Sequence, residues 1–140
     1  MKVSEAMSRD VQVAGPDQTL RDIATIMEQE NIGSMPVGAN DRLIGMITDR
    51  DITIRAVAHG KGPDTLVQDV MTERIDYCLE SDEIDEVCRK LADRQLHRVP
   101  VVDQDHRLVG FLALADIARN EQNGDHVAKA VNGISRPGGH

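Results

Sequence analysis

Aromatic side chains are almost absent from this chain. Of 140 residues only Tyr77 and Phe111 are aromatic, and there is no tryptophan. A stacking platform for single-stranded nucleic acid needs several rings and is excluded. The core must instead be built from Ile, Val, Leu, Met and Ala. Basic clusters are missing too: 16 Lys and Arg stand against 24 Asp and Glu, a formal charge of −8. Nucleic acid is therefore not the expected partner, because phosphate neutralisation needs clustered cations. No run approaches the roughly 20 apolar residues of a membrane span. The start M-K-V-S-E-A-M turns polar too early for a secretory signal. A soluble, cytoplasmic protein without a membrane partner is expected.

Two cysteines, Cys78 and Cys88, are too few for a disulfide scaffold. Cys88 reads as a small core residue on a helix face, and Cys78 as the end of a strand. The histidines, His59, His97, His106, His126 and His140, lack metal-site spacing. There is no glycine-rich phosphate loop, and no serine has a credible His/Asp arrangement for nucleophilic attack. The expectation is a protein that is not an enzyme and needs no metal or cofactor for chemistry.

What the chain does have is a repeat. V-S-E-A-M-S-R-D-V from Val3 matches V-Q-D-V-M-T-E-R-I from Val67. Leu20, Ile23, Ala24 and Met27 fall on Ile84, Val87, Cys88 and Leu91 at the same spacing, and Pro36 falls on Pro100. After one inserted residue, R-L-I-G (Arg42 to Gly45) falls on R-L-V-G (Arg107 to Gly110), and Asp51-Ile52 on Asp116-Ile117. One repeat of roughly 60 residues is marginal alone, so two units packed on each other, with a ligand-sized cleft at the seam, are expected.

Each half reads as linker, strand, helix, strand, strand, helix. In the first, Val11 to Val13 is a short strand, and Asp17 or Thr19 can cap a helix whose apolar face is Leu20, Ile23, Ala24 and Met27. Asn31 and Gly33 stop it. Ser34 to Val37 and Leu43 to Thr48 form a hairpin through G-A-N-D-R. Asp49 opens a helix that Gly60 ends. In the second, Ile75 to Cys78 is a strand, followed by the Ile84–Leu91 helix, a Val99–Val102/Leu108–Leu112 hairpin and a helix over Leu114 to Arg119. The expected division is residues 1–60, a linker over 61–66, residues 67–122, and a partly disordered tail over 123–140 with weak helical character.

The order, spacing and duplication of M-S (Met7, Ser8), M-T (Met71, Thr72), S-M-P-V (Ser34 to Val37), R-V-P-V-V (Arg98 to Val102), G-M-I-T-D-R-D-I (Gly45 to Ile52) and G-F-L-A-L-A-D-I (Gly110 to Ile117) resemble a tandem CBS (cystathionine-β-synthase) domain. T-D-R-D-I-T-I-R-A-V-A-H-G resembles the small bacterial CBS-pair proteins, some of them linked to stress or low oxygen. The resemblance implies an α/β (α+β) fold of two β-α-β-β-α CBS repeats packed about a pseudo-twofold axis. It also implies a regulatory module for an adenosine-containing ligand (AMP, ADP, ATP, S-adenosylmethionine or NAD), a homodimer, and an effector protein of unknown identity.

Such a ligand needs a carboxylate for the ribose, cations for phosphate and an apolar slot for adenine. Thr48 and Asp51 match the family's G-x-x-[S/T]-x-x-D ribose element; the alternative for Asp51 is helix capping alone. Arg50 is a further candidate if it turns inward. In the second copy Asp116 is present, but Ala113 stands where Thr48 stood. His97 and Arg98 in H-R-V-P-V resemble a phosphate-binding pair; Gly33 and Ser34 occupy those places in the first repeat. One real site, with its cations supplied by the second repeat, is expected. Val13, Met35, Pro36, Tyr77, Val99 and Pro100 are the candidates for the adenine slot; the alternative is that they are core.

Overall fold

A computed structural model describes residues 1–120. The expected disordered tail over 123–140 lies outside the described residues. Two compact units form, and they do not follow the halves of the sequence. One comprises Gln12–Ile75; the other combines Met1–Val11 with the described residues from Asp76 to Asn120.

In the Gln12–Ile75 unit, α2 (Leu20–Glu30) starts at Thr19. The Thr19 hydroxyl accepts from the Asp22 N–H at 3.2 Å, and the Asp22 carboxylate accepts from the Thr19 N–H at 3.4 Å. This reciprocal box satisfies two donors that the first helical turn leaves unpaired. Leu20, Ile23 and Met27 are buried, whereas Ala24 is exposed and Ile26 packs on the core in its place. Asn31, at φ 54°, turns the chain out of the helix. Strands β1 (Ser34–Ala39) and β2 (Arg42–Thr48) form the hairpin. Asn40 and Asp41 at its tip both have positive φ, 54° and 65°, as a two-residue type I′ connection requires.

The expected strand at Val11–Val13 is absent. Only Ala14 pairs with β1, in parallel, through Ala14 N–H to the Pro36 carbonyl and Gly38 N–H to the Ala14 carbonyl, both 2.9 Å. Gly15-Pro16 follows at once, and proline has no N–H with which to extend a ladder. After β2, α3 (Asp49–Asp51) runs into a π-helical stretch, Ile52–Ala56, and a 3-10 turn, Val57–His59, closed by Gly60 at φ 74°.

The other unit repeats the plan. Strand β3 (Cys78–Leu79) is shorter and later than the expected Ile75–Cys78, and pairs in parallel with β4 (Arg98–Val102). Helix α4 (Ile84–Arg94) buries Ile84, Val87, Cys88 and Leu91. Strand β5 (Leu108–Ala113) pairs antiparallel with β4, and α5 (Leu114–Asn120) follows. At the hairpin tip one Asp103 carboxylate oxygen accepts the N–H groups of Asp105 and Arg107, each at 2.9 Å.

The segments that open each half are structured arms. Val3–Ala6 forms a helical turn, α1, and Val67–Asp69 a 3-10 turn. Val3 and Val67 are both 0% exposed; burying a valine side chain contributes about 1.5–3 kcal/mol, so each arm belongs to a core. Each arm packs on the other repeat's strands. Ser8 and Phe111 exchange N–H···O bonds, both 2.9 Å, and Thr72 and Met46 do the same at 2.8 and 2.9 Å. Glycine permits both approaches: a Cβ on Gly110 would lie 2.8 Å from the Ser8 carbonyl oxygen, and one on Gly45 would lie 2.8 Å from that of Thr72.

Candidate functional site

Strand β2 ends at Thr48, where the chain turns into α3 and leaves the N–H groups of the first turn without helical partners. Asp51 fills that gap. Its carboxylate accepts from the Thr48 N–H at 3.0 Å, while the Thr48 hydroxyl accepts from the Asp51 N–H at 3.0 Å. Asp51 is 9% exposed. A buried carboxylate is costly unless its oxygens are satisfied. Two further groups contribute here, and sequence reading missed both. The Thr72 hydroxyl, from the docked arm, donates to Asp51 at 3.2 Å. The Arg55 Nε stands 3.8 Å from Asp51 Oδ1, while Arg55 Nη1 donates to the Met71 carbonyl at 3.0 Å. Arg55 was accessible to a spacing argument, since it lies four residues after Asp51 on a helix. Thr72 was legible only as part of the repeated M-T pair.

Thr48 and Asp51 are thus brought together as expected. Arg50, between them, is exposed. Ser34 pairs in register with Thr48, and Pro36 with Met46. Met35 is 0% exposed and sits in the core, so it lines no open slot. Pro36 is buried, and Val13 is 44% exposed beside Gly38.

The second copy preserves half of this arrangement. The Asp116 carboxylate accepts from the Ala113 N–H at 3.0 Å, and Asp116 is 8% exposed. The reciprocal bond is gone because Ala113 has no hydroxyl. Arg98 pairs in register with Ala113, so a cation stands at the strand end where the first copy has Ser34. The Arg98 guanidinium lies over the Phe111 ring, 4.9 Å from its centre, a cation–π contact that orients an otherwise exposed side chain. His97 is exposed, and its carbonyl accepts from the Leu114 N–H. Val99 is 1% exposed and belongs to the core, and Pro100 is buried.

Tyr77 is 38% exposed, but its ring already has neighbours. His106 meets it edge-on at 5.0 Å, and the Lys90 ammonium lies 5.5 Å from its centre and bonds the Tyr77 carbonyl. A stacked base would compete with both. A cavity of about 260 Å³ opens between Leu79–Ser81 and Val102–Asp105. Its carboxylates, Glu80, Asp103 and Asp105, make it a poor phosphate site, and no residue expected to bind ligand lines it. Burial, reinforced by the nearby Asp82 carboxylate and only partly offset by Lys90, pushes the Cys78 thiol up to about 12. It therefore stays protonated and unreactive at neutral pH.

Two copies of a strand-end carboxylate, each capping the helix that follows, on two hairpins each crossed by an arm at a glycine, describe a duplicated domain. The CBS domain family matches residues 3–57 and 67–123. The chain belongs to the CBS domain family. It is a tandem CBS pair with an α+β fold. The pair is 34% identical over 138 residues to the CBS domain-containing protein YhcV of Bacillus subtilis, covering 99% of this chain and 98% of that one. It is 38% identical over 118 residues to hypoxic response protein 1 of Mycobacterium tuberculosis, covering 83% and 82%. The crystal structure of Hypoxic Response Protein I, described with two coordinated zinc ions, superposes with a TM-score of 0.76 at 37% identity, over 85% of this chain and 98% of that one. The CBS domain pair of protein MJ0100, in complex with 5′-methylthioadenosine and S-adenosyl-L-methionine, superposes with a TM-score of 0.71 at 28% identity, over 85% and 94%. No helix among the described residues is long and apolar enough to cross a membrane.

Proposed function

We propose that this CBS pair is a non-catalytic regulatory module that binds an adenosine-containing ligand, with Asp51 as the ribose acceptor. The observation that carries this reading is the Asp51 carboxylate, fixed at a strand end between the Thr48 N–H and the Thr72 hydroxyl, both of which donate to it. An ionised carboxylate offers about four acceptor positions. A ribose diol can take the place of the single Thr72 hydroxyl while the capping bond from Thr48 stays intact. The adenosine-type ligands of the MJ0100 pair support this ligand class. AMP, ADP or ATP, NAD and S-adenosylmethionine are the candidates, His97 and Arg98 are the phosphate residues assigned in the second repeat, and Asp116 is the weaker ribose acceptor. Regulation requires only that ligand prefer one conformation, which a partner protein then reads. A homodimer is the proposed assembly, with the exposed Ile54 and Val57 as its apolar surface.

The experiment is a thermal-shift panel with AMP, ADP, ATP, NAD and S-adenosylmethionine on nucleotide-free protein. Ligand at 100 times its Kd adds about 2.7 kcal/mol, a rise of roughly 5–10 °C for a domain of this size. A selective rise for one compound supports the reading. A flat panel favours a second one, a ligand-free interaction protein. The observation behind that alternative is that Asp51 already holds Thr48 and Thr72. The zinc of Hypoxic Response Protein I is not assigned to this chain. Among the described residues no three or more His, Cys, Asp or Glu side chains are grouped to hold a metal ion.

A further inference from the structure

The geometry points to Arg55 as a phosphate-contacting residue of the Asp51 site, so that this site selects 5′-phosphorylated adenosines over the bare nucleoside. The inference rests on the adenosine reading above and adds to it a cation from the first repeat. Three observations converge. Arg55 is the cation fixed beside the ribose acceptor, with its Nε 3.8 Å from Asp51 Oδ1. Of its five N–H donors, Nη1 is committed to the Met71 carbonyl. That bond tethers the guanidinium, while the side chain remains 52% exposed, so its open edge faces solvent at the carboxylate.

A 5′-phosphate lies within one side-chain length of the ribose diol, so a group held beside the diol's acceptor is placed to meet it. A planar guanidinium with free parallel donors suits a phosphate. Electrostatics require such a group: Asp49 and Asp51 lie within three residues of each other, and the chain carries a charge of −8. Without a cation the site would repel a phosphate. Arg50 and Arg55 are both exposed, and a long side chain must lose its rotamer freedom to bind. The tether on Arg55 has already restricted that freedom.

The π-helical stretch Ile52–Ala56 surrounds this residue. Its wider turn is consistent with the guanidinium reaching both the arm and the carboxylate, and such irregular turns recur at functional positions.

The test is isothermal titration of wild type, Arg55→Gln, Arg55→Lys and Arg98→Gln with adenosine and with AMP. Wild type is expected to favour AMP by about tenfold or more, one charge-assisted contact. Arg55→Gln is expected to bring the AMP/adenosine ratio to within about twofold of unity, by weakening AMP more than adenosine; Arg55→Lys should retain an intermediate preference. Equal weakening of both ligands by Arg55→Gln would mean that Arg55 only clamps the arm, and would overturn the inference. So would a ratio that collapses in Arg98→Gln but survives Arg55→Gln. If wild type binds neither compound, the adenosine reading itself fails and this inference goes with it. If it binds both and Arg55→Gln leaves the ratio unmoved, this inference alone fails.

Discussion

Thr72 and Asp51 stand 21 residues apart in the chain and 3.2 Å apart in the fold, joined by a hydroxyl donating to a carboxylate. That bond ties the arm leading into the second repeat to the helix start of the first. The residue proposed to hold a ribose is thus also a structural bolt, and substitutions at it have two separable effects.

Asp51→Ala is expected to weaken binding of an adenosine ligand at least tenfold. It also removes the cap and the Thr72 bond, at a cost of about 1–3 kcal/mol. Asp51→Asn keeps an acceptor for Thr48 but loses the charge, so it should recover most of the stability and little of the affinity. Urea denaturation beside titration separates the two. Unchanged affinity in both variants would move the ribose site to Asp116.

The two copies differ by one hydroxyl, and exchanging it tests the capping geometry. Thr48→Ala should destabilise by about 0.5–2 kcal/mol. Ala113→Thr should stabilise by a similar amount, because Asp116 already accepts from the Ala113 N–H and only the reverse bond is missing. Paired chemical denaturation curves read both. No gain from Ala113→Thr would mean that the second strand end cannot take the geometry of the first.

Gly110→Ala and Gly45→Ala should both loosen an arm. The added methyl would meet a backbone carbonyl oxygen at 2.8 Å in each case, and Met7 Sδ at 2.7 Å at Gly110. The backbone oxygen cannot turn aside, so a loss of about 1–3 kcal/mol is expected, with faster proteolysis within residues 1–11 for Gly110→Ala. Wild-type protection of that segment would count against the arm contact.

Stability should fall at alkaline pH through Cys78. Its thiol titrates near 9.0 when unfolded and near 12 when folded. Between those values the unfolded state has lost a proton that the folded state keeps, so rising pH favours unfolding. The contribution is fully present below 9.0 and is lost as pH rises through the folded value. Urea midpoints measured upward from about pH 8 should decline, and Cys78→Ala should flatten the decline despite its lower starting stability. An identical slope in the variant would assign the effect to other groups.

Much of this was legible in the residues. The helix from Leu20 to Glu30 announces itself through Thr19 at its start, Asn31 at its end and apolar side chains one turn apart, all of them local signals. The hairpin tip at Asn40-Asp41 is likewise a matter of which residues tolerate positive φ. Ala24 misled, because a residue at the rim of an apolar stripe is covered only if a neighbour reaches it. Val11–Val13 misled because β-propensity does not supply a partner strand, and only Ala14 finds one.

The site divides in the same way. Thr48 with Asp51 is a contact over three residues, and sequence spacing alone could place it. Arg55 was within reach of the same logic. Thr72 was not, since its bond to Asp51 exists only because the arm crosses β2 at Gly45. The order of elements and the local caps were determined by the sequence itself, because each depends on residues within a turn or two of one another, and the duplication is those same local signals met twice along the chain. Which arm lies on which repeat was decided only by the tertiary structure. The two arms carry similar residues and dock through equivalent backbone bonds beside equivalent glycines, Gly110 and Gly45, so neither arm's local pattern names its partner.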